Sequence, residues 1–597
     1  MLFDELADYY SKLEEISSRI AMVDILADML SKLNEDEIDK AIYITQGVLL
    51  PPYQGIEIGI ADKMAEDSIS LATGYKREDI EKLYKQLGDL GSVVEHILNE
   101  RNTAKIDERK LSILDVYNTV YDIAKRAGEG SKAQKTKLLA GLITNLSPKG
   151  AKYAVRYVLG QLRLGVGDAT VIEALSLIST KTRGNKDIIE NAYNLCSDLG
   201  YIGKLIKQGG IDAIKDFKIS LFRPIRPALA ERLPTAQEIL QRMNGRCAVE
   251  YKYDGFRCQI HKKGNEVMIF SRRLENTTAM LPDIVNAVKK EIKADEIIFE
   301  GEAIGYDQDT GEFFPFQETI QRKRKHDVEE KAESIPLKLF AFDLMYLNGE
   351  SYLNKPYSER RAKLEELIKD SKESVIRLTQ RIITDNPVEL ENYFDNAITN
   401  GLEGIVAKDL NAPYIAGARK FSWIKLKRSY KGELSDTLDL VIVGYDVGTG
   451  KRAEIGFGAV LAATYNKERD IFETICKIGS GYTDKEREIM RDLLRKIVVD
   501  HKPARVDSII KPDYWVEPRY VITVKADEIT RSPTHTCGRT TLPDGTTVGY
   551  ALRFPRLVSQ NDDPIREDKA PEDATTTQEV IEMYNMQRKS SVGEDES

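Results

Sequence analysis

The feature that most limits what this chain can fold into is a change of hydrophobic period near residue 215. Before it, apolar residues recur every three or four positions, as in Leu2, Leu6, Tyr9, Tyr10, Leu13, Ile16 and Ile20, the stripe of a helix facing a core. Past "SLFRPIRPALAER", whose prolines mark a connection, the apolar residues alternate or gather in β-branched runs: "CAVEYKYDGFRCQIH", "VMIFS", "EIIFEGEAIGY", "LKLFAFDLMYL" and "EGIVAKD". Helical segments are expected near residues 281–293 and 358–369. From Thr437 onward the strands "LDLVIVGYDVGTG", "FGAVLAATY", "FETICKIGSGY" and "YVITVKADEI" are separated by glycine-rich turns, with one helix near residues 484–500. The chain therefore reads as multidomain, α and α+β. An all-helical domain spans 1–215, an antiparallel α+β domain 222–432, and an OB-fold β-barrel 433–597 with a polar tail. Within the tail a helix is expected over 576–588 and disorder over "SSVGEDES".

Composition excludes several classes. The opening "MLFDELADYYSKLEEISSRI" has acidic residues where a signal peptide needs a basic and then an apolar segment. No apolar run approaches about 18 residues, so a cytoplasmic, nucleoid-associated protein outside the membrane is expected. The five cysteines, Cys196, Cys247, Cys258, Cys476 and Cys537, form no CxxC pair, and there are five histidines, which leaves little for a zinc site or a disulfide framework. The net charge of −9 argues against a uniformly basic nucleic-acid coat, although phosphate affinity depends on where Lys and Arg cluster.

One cluster lies in the helical region. "KYAVRYVLGQLRLGVGDATVIEALS" carries Arg156 and Arg163, then Gly165, Gly167 and Asp168 ahead of a new helix that Asp168 could cap. Exposed amides beside Arg163 would suit a phosphate. The same residues also fit a plain helix-turn-helix joint with a surface arginine.

The densest chemistry lies in "EYKYDGFRCQIH", residues 250–261. On a strand, Glu250, Lys252 and Asp254 share one face, and Tyr251 and Tyr253 the other. An amine between two carboxylates is a poor nucleophile: at a pKa near ~10.4 only about one lysine in a few thousand is neutral at pH 7, and acidic neighbours lower that fraction. Such a lysine is either salt-bridged or awaiting another cation. K-x-D-G alone is weak evidence. It gains weight from "SRRLENTT" at 271–278, "FEGEAI" at 299–304, "LFAFDLMYLNG" at 339–349, "EGIVAK" at 403–408 and "WIKLK" at 423–427.

Together these stretches resemble the nucleotidyltransferase signature of covalent ligases and capping enzymes. Their order and spacing are similar to those of ATP-dependent DNA ligases, above all the archaeal relatives of the eukaryotic replicative type. The resemblance runs from "LGQLRLGVGDATV" through the adenylation domain to "LRFPR" and "REDKAPEDATT". It implies that Lys252 attacks the α-phosphate of ATP to give lysyl-AMP, with Mg²⁺ or Mn²⁺ on the phosphates. It further implies Glu250 on the adenine side, Arg257 and Arg272 on phosphate and ribose, and Phe342, in preference to Phe340, stacked on adenine. Glu302 would meet the ribose hydroxyls or a metal, Glu403 would be the second acidic residue near the metal, and Lys408, Lys425 and Lys427 would meet the triphosphate.

Arg553 of "LRFPR" would orient pyrophosphate, with Arg556 beside it. Arg566, Asp568 and Lys569 of "REDK" are further candidates for the same motif, although the intervening "LVSQNDDPI" departs from the family pattern in being longer and more acidic. Arg156 and Arg163 would contact DNA. The implied substrate is nicked duplex DNA, sealed by a monomer in replication, repair and recombination. A sliding clamp is an implied partner, yet "QKTKLLAG" and "KIDERKLSILDV" match its binding box poorly. An mRNA guanylyltransferase would share "KYDGFR" but not the helical region in front. An NAD⁺-dependent ligase would carry a four-cysteine zinc module, and a non-enzymatic DNA-binding scaffold would not need every one of these lysines.

Overall fold

The computed structural model describes residues 1–100, 110–182, 184–306, 335–400, 402–427, 437–447, 456–526, 528–541, 547–559 and 563–593, with isolated positions between 313 and 332. Thirteen α-helices fill the described residues between Phe3 and Lys215. The first, Phe3–Glu15, buries Phe3, Leu6, Ala7, Tyr10 and Leu13, the face that the 3.6-residue period selects. Ile20, on the same expected stripe, is 61% exposed, because this helix stops at Glu15 and a new one starts at Arg19 with Ser18 as its cap. Gly167, not Asp168, takes the cap position of the helix Asp168–Thr180.

The central region is built on two sheets. The first has the order β1 (Leu229–Arg232), β11 (Arg419–Lys427), β10 (Gly404–Lys408), β2 (Cys247–Lys252) and β9 (Arg381–Thr384). The second has the order β4 (Glu266–Ser271), β3 (Phe256–Lys263), β5 (Glu296–Gly305), β6 (Leu337–Leu347) and β7 (Glu350–Ser351), with β8 (Ile376–Leu378) also paired to β6. Every pairing is antiparallel except β1 with β11 and β6 with β8. The helices Pro282–Glu291 and Tyr357–Leu367 stand where helical segments are expected. Alternation sorts the side chains. Along β6, Leu339 and Ala341 enter one core, Phe340 enters another, and Phe342 lies at the edge of a third.

Beyond Thr437 the chain forms an eight-stranded sheet around the strand Thr437–Asp446 and a separate three-stranded sheet. Among the described residues these strands do not close into a barrel, so the C-terminal region is sheet-rich rather than a complete OB barrel. The helix Asp484–Arg495 starts on a capping box in which the Thr483 hydroxyl accepts from the Glu486 amide. The last helix, Thr577–Gly593, runs into the stretch expected to be disordered, and 594–597 lie outside the described residues. Among the described residues no helix is long and apolar enough to cross a membrane.

Candidate active site

The two sheets and the C-terminal region line a cavity of about 860 Å³, within the range of small-molecule sites. Its walls include Glu250, Lys252, Arg257, Arg272, Glu302, Phe342, Glu403, Lys408, Lys425 and Lys427. Strand register explains the convergence. Lys252, Gly404 and Lys427 stand in one row across β2, β10 and β11, and Glu250, Val406 and Lys425 in the next. Glu403, one residue before β10, thus lies between two lysines, and its carboxylate accepts from both Lys252 and Lys427. A side chain at Gly404, with φ 150°, would collide with the Leu426 carbonyl. Gly255 is constrained likewise, because a Cβ there would strike the Ala303 carbonyl, and this is the physical reason for glycine after Asp254.

The amine is not flanked as simple alternation predicts. β2 ends at Lys252, so Asp254 belongs to the following turn. Glu250 does share the face but is buried among other partners, accepting from Tyr357, from Arg361 at 3.1 Å and from Lys408 at 2.9 Å. The carboxylate on Lys252 is Glu403. Burial by itself would depress the Lys252 ammonium, but Glu403, Glu302 and Asp254 outweigh it and hold the group above its ordinary value. Burial would raise Glu403, yet the two lysines hold it well below the usual carboxylate range. Glu302 goes the other way, pushed by burial up to about 7 against the pull of Lys252 and Arg257. Burial lowers Lys408 despite Glu250.

Phe342 stands edge-on to Trp423 with ring centroids 5.9 Å apart, and the Lys408 ammonium lies 4.8 Å from the Phe342 ring and 4.3 Å from the Trp423 ring. Phe340 faces away and stacks on Tyr253 at 4.0 Å. Arg257 is gripped by Glu300 at 2.6 Å and donates to the Ala228 carbonyl, so its guanidinium is already engaged by protein groups. Arg272 lies 3.6 Å from Asp573, and its buried Nε has no hydrogen-bond partner among the described residues. Lys425 lies 3.9 Å from Glu579.

Three expected site residues are elsewhere. Arg553 is exposed on the strand Thr547–Arg553, paired with Glu528, and does not line the cavity. Arg566, Asp568 and Lys569, the further candidates of the same motif, do line it, and Asp439 holds Lys569 and Arg566 there. Arg156 is buried, held by Asp89 at 2.7 Å and Glu14 at 2.9 Å, and so presents no cation to a phosphate. Arg163, at φ 61°, is buried against the C-terminal region and donates to the carbonyls of Lys496, Val498 and Gly88. Trp423, Asp439, Asp573 and Glu579 line the cavity without having been singled out from the sequence. For Trp423 the signal was present, since Trp423, Lys425 and Lys427 fall on one face of a strand.

Three family models match the chain: DNA ligase N terminus over residues 2–176, ATP dependent DNA ligase domain over 227–427, and ATP dependent DNA ligase C terminal region over 453–569. A probable DNA ligase of Dictyoglomus thermophilum is 51% identical, covering 100% of this chain and 99% of that protein. A DNA ligase of Staphylothermus marinus is 45% identical, covering 99% of each. Among solved structures, mycobacterial DNA ligase D complexed with ATP and MES is 21% identical with a TM-score of 0.33, covering 59% of this chain and 98% of that one. A covalent nucleotidyltransferase core joined to a helical and a sheet-rich region is the class, and the chain belongs to the ATP-dependent DNA ligase family, whose general function is the sealing of nicks in DNA.

Proposed function

We propose that the cavity binds ATP and that Lys252 is the nucleophile of self-adenylation. The supporting observation is the Lys252–Glu403–Lys427 row, which puts one amine and a second cation at the mouth of three adjacent strands. The cavity suits this substrate. It has an aromatic wall at Phe342 and Trp423, with Glu250 on Lys408, and cations at Arg272, Lys408, Lys425 and Lys427; the Arg272 side chain is about a third exposed, so its guanidinium can meet a phosphate or ribose oxygen. Arg257, fixed by Glu300, supports this wall from behind. Arg566 and Lys569 replace Arg553 as the C-terminal cations nearest the polyphosphate.

In the first step the neutral Nζ of Lys252 bonds to the α-phosphorus, the bond to the β-phosphate oxygen breaks, and pyrophosphate leaves. The phosphoramide nitrogen of Lys252 then takes up a proton as the 5′-phosphate oxygen of the nick bonds to the AMP phosphorus, the P–N bond breaks, and the lysine leaves as a neutral amine. The 3′-hydroxyl finally displaces AMP and closes the phosphodiester. Glu302 and Glu403, both on the cavity wall, are the carboxylates that would hold a Mg²⁺ or Mn²⁺ ion, which would supply neutralisation of the polyphosphate charge. Glu403 holds Lys252 as an ammonium, so its carboxylate must be engaged elsewhere before the Lys252 amine becomes neutral. Contacts to phosphates and to duplex shape suffice for the nicked substrate, so no sequence preference is expected. A sliding clamp is a further partner of this reading, and a titration with purified clamp that showed no binding would remove it.

The test is incubation with α-³²P-ATP and Mg²⁺, comparing wild type with Lys252→Ala on a denaturing gel, then a chase with nicked DNA. Label that depends on Lys252 and moves to the 5′ end of the nick supports the reading. Label formed only from GTP and passed to an RNA diphosphate end would replace it with capping chemistry.

A further inference from the structure

The helix Tyr357–Leu367 carries two adjacent arginines that are both buried, although a helix surface between two sheets could be filled by apolar side chains. Arg360 donates to both carboxylate oxygens of Asp343, at 2.7 and 3.0 Å, and to the carbonyls of Lys355 and Ala412. Arg361 donates to Glu250 at 3.1 Å and to the hydroxyl and carbonyl of Thr379 at 2.6 and 2.7 Å. Tyr357, one turn earlier, donates its hydroxyl to the same Glu250 oxygen. The other oxygen of Glu250 holds Lys408, whose ammonium also donates to the Phe342 carbonyl at 3.1 Å.

These contacts link the two sheets at the adenylation site. Glu250 lies on β2, two residues before Lys252, and Asp343 lies on β6, next to Phe342. Neighbouring residues on a helix point in directions about 100° apart, so one short helix can grip a strand from each sheet. Well-packed apolar residues would hold such a helix at least as stably as buried ion pairs, which makes fixed geometry the better account of two of them here.

We propose that Arg360 and Arg361 are positioning residues for nucleotide binding: Arg361 fixes Glu250 and through it Lys408, and Arg360 fixes Asp343 and with it the strand that presents Phe342. This rests on the ATP reading of the cavity. Lys408 is the shared element, because it joins Glu250 of one sheet to the Phe342 carbonyl of the other and lies beside both aromatic rings. Without Arg361, Glu250 keeps its charge but loses a fixed orientation, and the Lys408 ammonium and Phe342 ring are free to shift against the nucleotide.

The experiment measures single-turnover self-adenylation of the full chain across ATP concentrations for wild type, Arg361→Lys, Arg360→Lys and Tyr357→Phe. In parallel it measures closure of a nick that already carries a 5′-adenylate, which needs no ATP. The expected result for Arg361→Lys is a half-saturating ATP concentration raised about tenfold, with the maximal rate within about threefold and closure of the pre-adenylated nick within about twofold of wild type. Arg360→Lys should move in the same direction. Tyr357→Phe, which removes one hydroxyl and no charge, should raise it about threefold. An ATP dependence identical to wild type overturns the proposal, and so does an equal fall in ATP affinity, maximal rate and pre-adenylated closure, which would mark a folding role. Where the arginine variants fail to fold, Tyr357→Phe decides alone. A wild type that forms no adenylate overturns the underlying reading instead.

Discussion

The cavity and the helical joint around residues 156–168 hold the same kind of residues, cations beside glycines, and they use them in opposite ways. In the cavity Lys252 and Lys427 share the single carboxylate of Glu403 and, like Arg272, remain partly exposed, so the walls hold positive charge in excess of its local partner and open to the cavity. At the joint the guanidinium heads are held in the interior by protein: Arg156 by Asp89 and Glu14, and the two terminal nitrogens of Arg163 by main-chain carbonyls of Lys496, Val498 and Gly88. Residue type alone does not distinguish a site from a brace. The difference lies in whether the surrounding groups leave part of the charge for a visitor.

The largest effect expected of that contrast is at Lys252. Lys252→Ala should lower self-adenylation at least about a thousandfold while closure of a pre-adenylated nick survives, read from radiolabelled protein and product. Substantial residual label would mean that another lysine of the row is the nucleophile. Next comes Arg156→Met, which strands Asp89 in the interior and should cost about 3–5 kcal/mol of stability by thermal or denaturant unfolding. Its affinity for nicked DNA below the transition should stay within about twofold, and a stable variant with weak DNA binding would erase the distinction drawn above.

Glu302 gives a smaller, pH-dependent effect. Its folded-state value, raised to about 7, exceeds that of the unfolded chain, so its stabilising contribution is full below the unfolded carboxylate value and is lost as pH rises through about 7. Wild-type stability should therefore fall between about pH 5 and 8 relative to Glu302→Gln, by on the order of 1 kcal/mol, and parallel pH profiles of the two proteins would remove the assignment. The smallest effect is at Arg163. Arg163→Ala should leave lysyl-AMP formation within about twofold and accelerate amide exchange over Lys496–Val499, where it now closes the contact; unchanged exchange would show that the carbonyls need no such partner.

The sequence carried the strand-borne half of the site well. A period of two decides which residues share a face once the strands are recognised, and it separates Lys252 from its tyrosine neighbours. Phe342, by contrast, parts from Phe340 only because the β5–β6 register shifts between Ala341 and Asp343, which no alternation pattern reveals. Pairings across the chain were not legible. Lys252 meets a carboxylate 151 positions away, and the nearer acids Glu250 and Asp254 are taken up by other partners or carried into a turn. The burial of Arg156, expected at DNA, was not legible for the same reason, since its partners lie 67 positions away, just ahead of the helix Leu90–Glu100, and 142 positions away on the first helix. Arg566 and Lys569 of "REDK" line the cavity and Arg553 does not, because the path of the chain between them, not the motif spelling, decides which cations return to it.

The pairing of Lys252 with Glu403 has a consequence for the protein at rest. An ammonium ion has no lone pair, so a lysine held in that form is inert toward acylating agents, cyanate and sugar aldehydes that modify free amines. Its reactivity is released only by a ligand that brings enough positive charge to compete for Glu403. In the proposed reaction, the Glu403 carboxylate that makes Lys252 a poor nucleophile is thus also the group that shields its amine from such reagents.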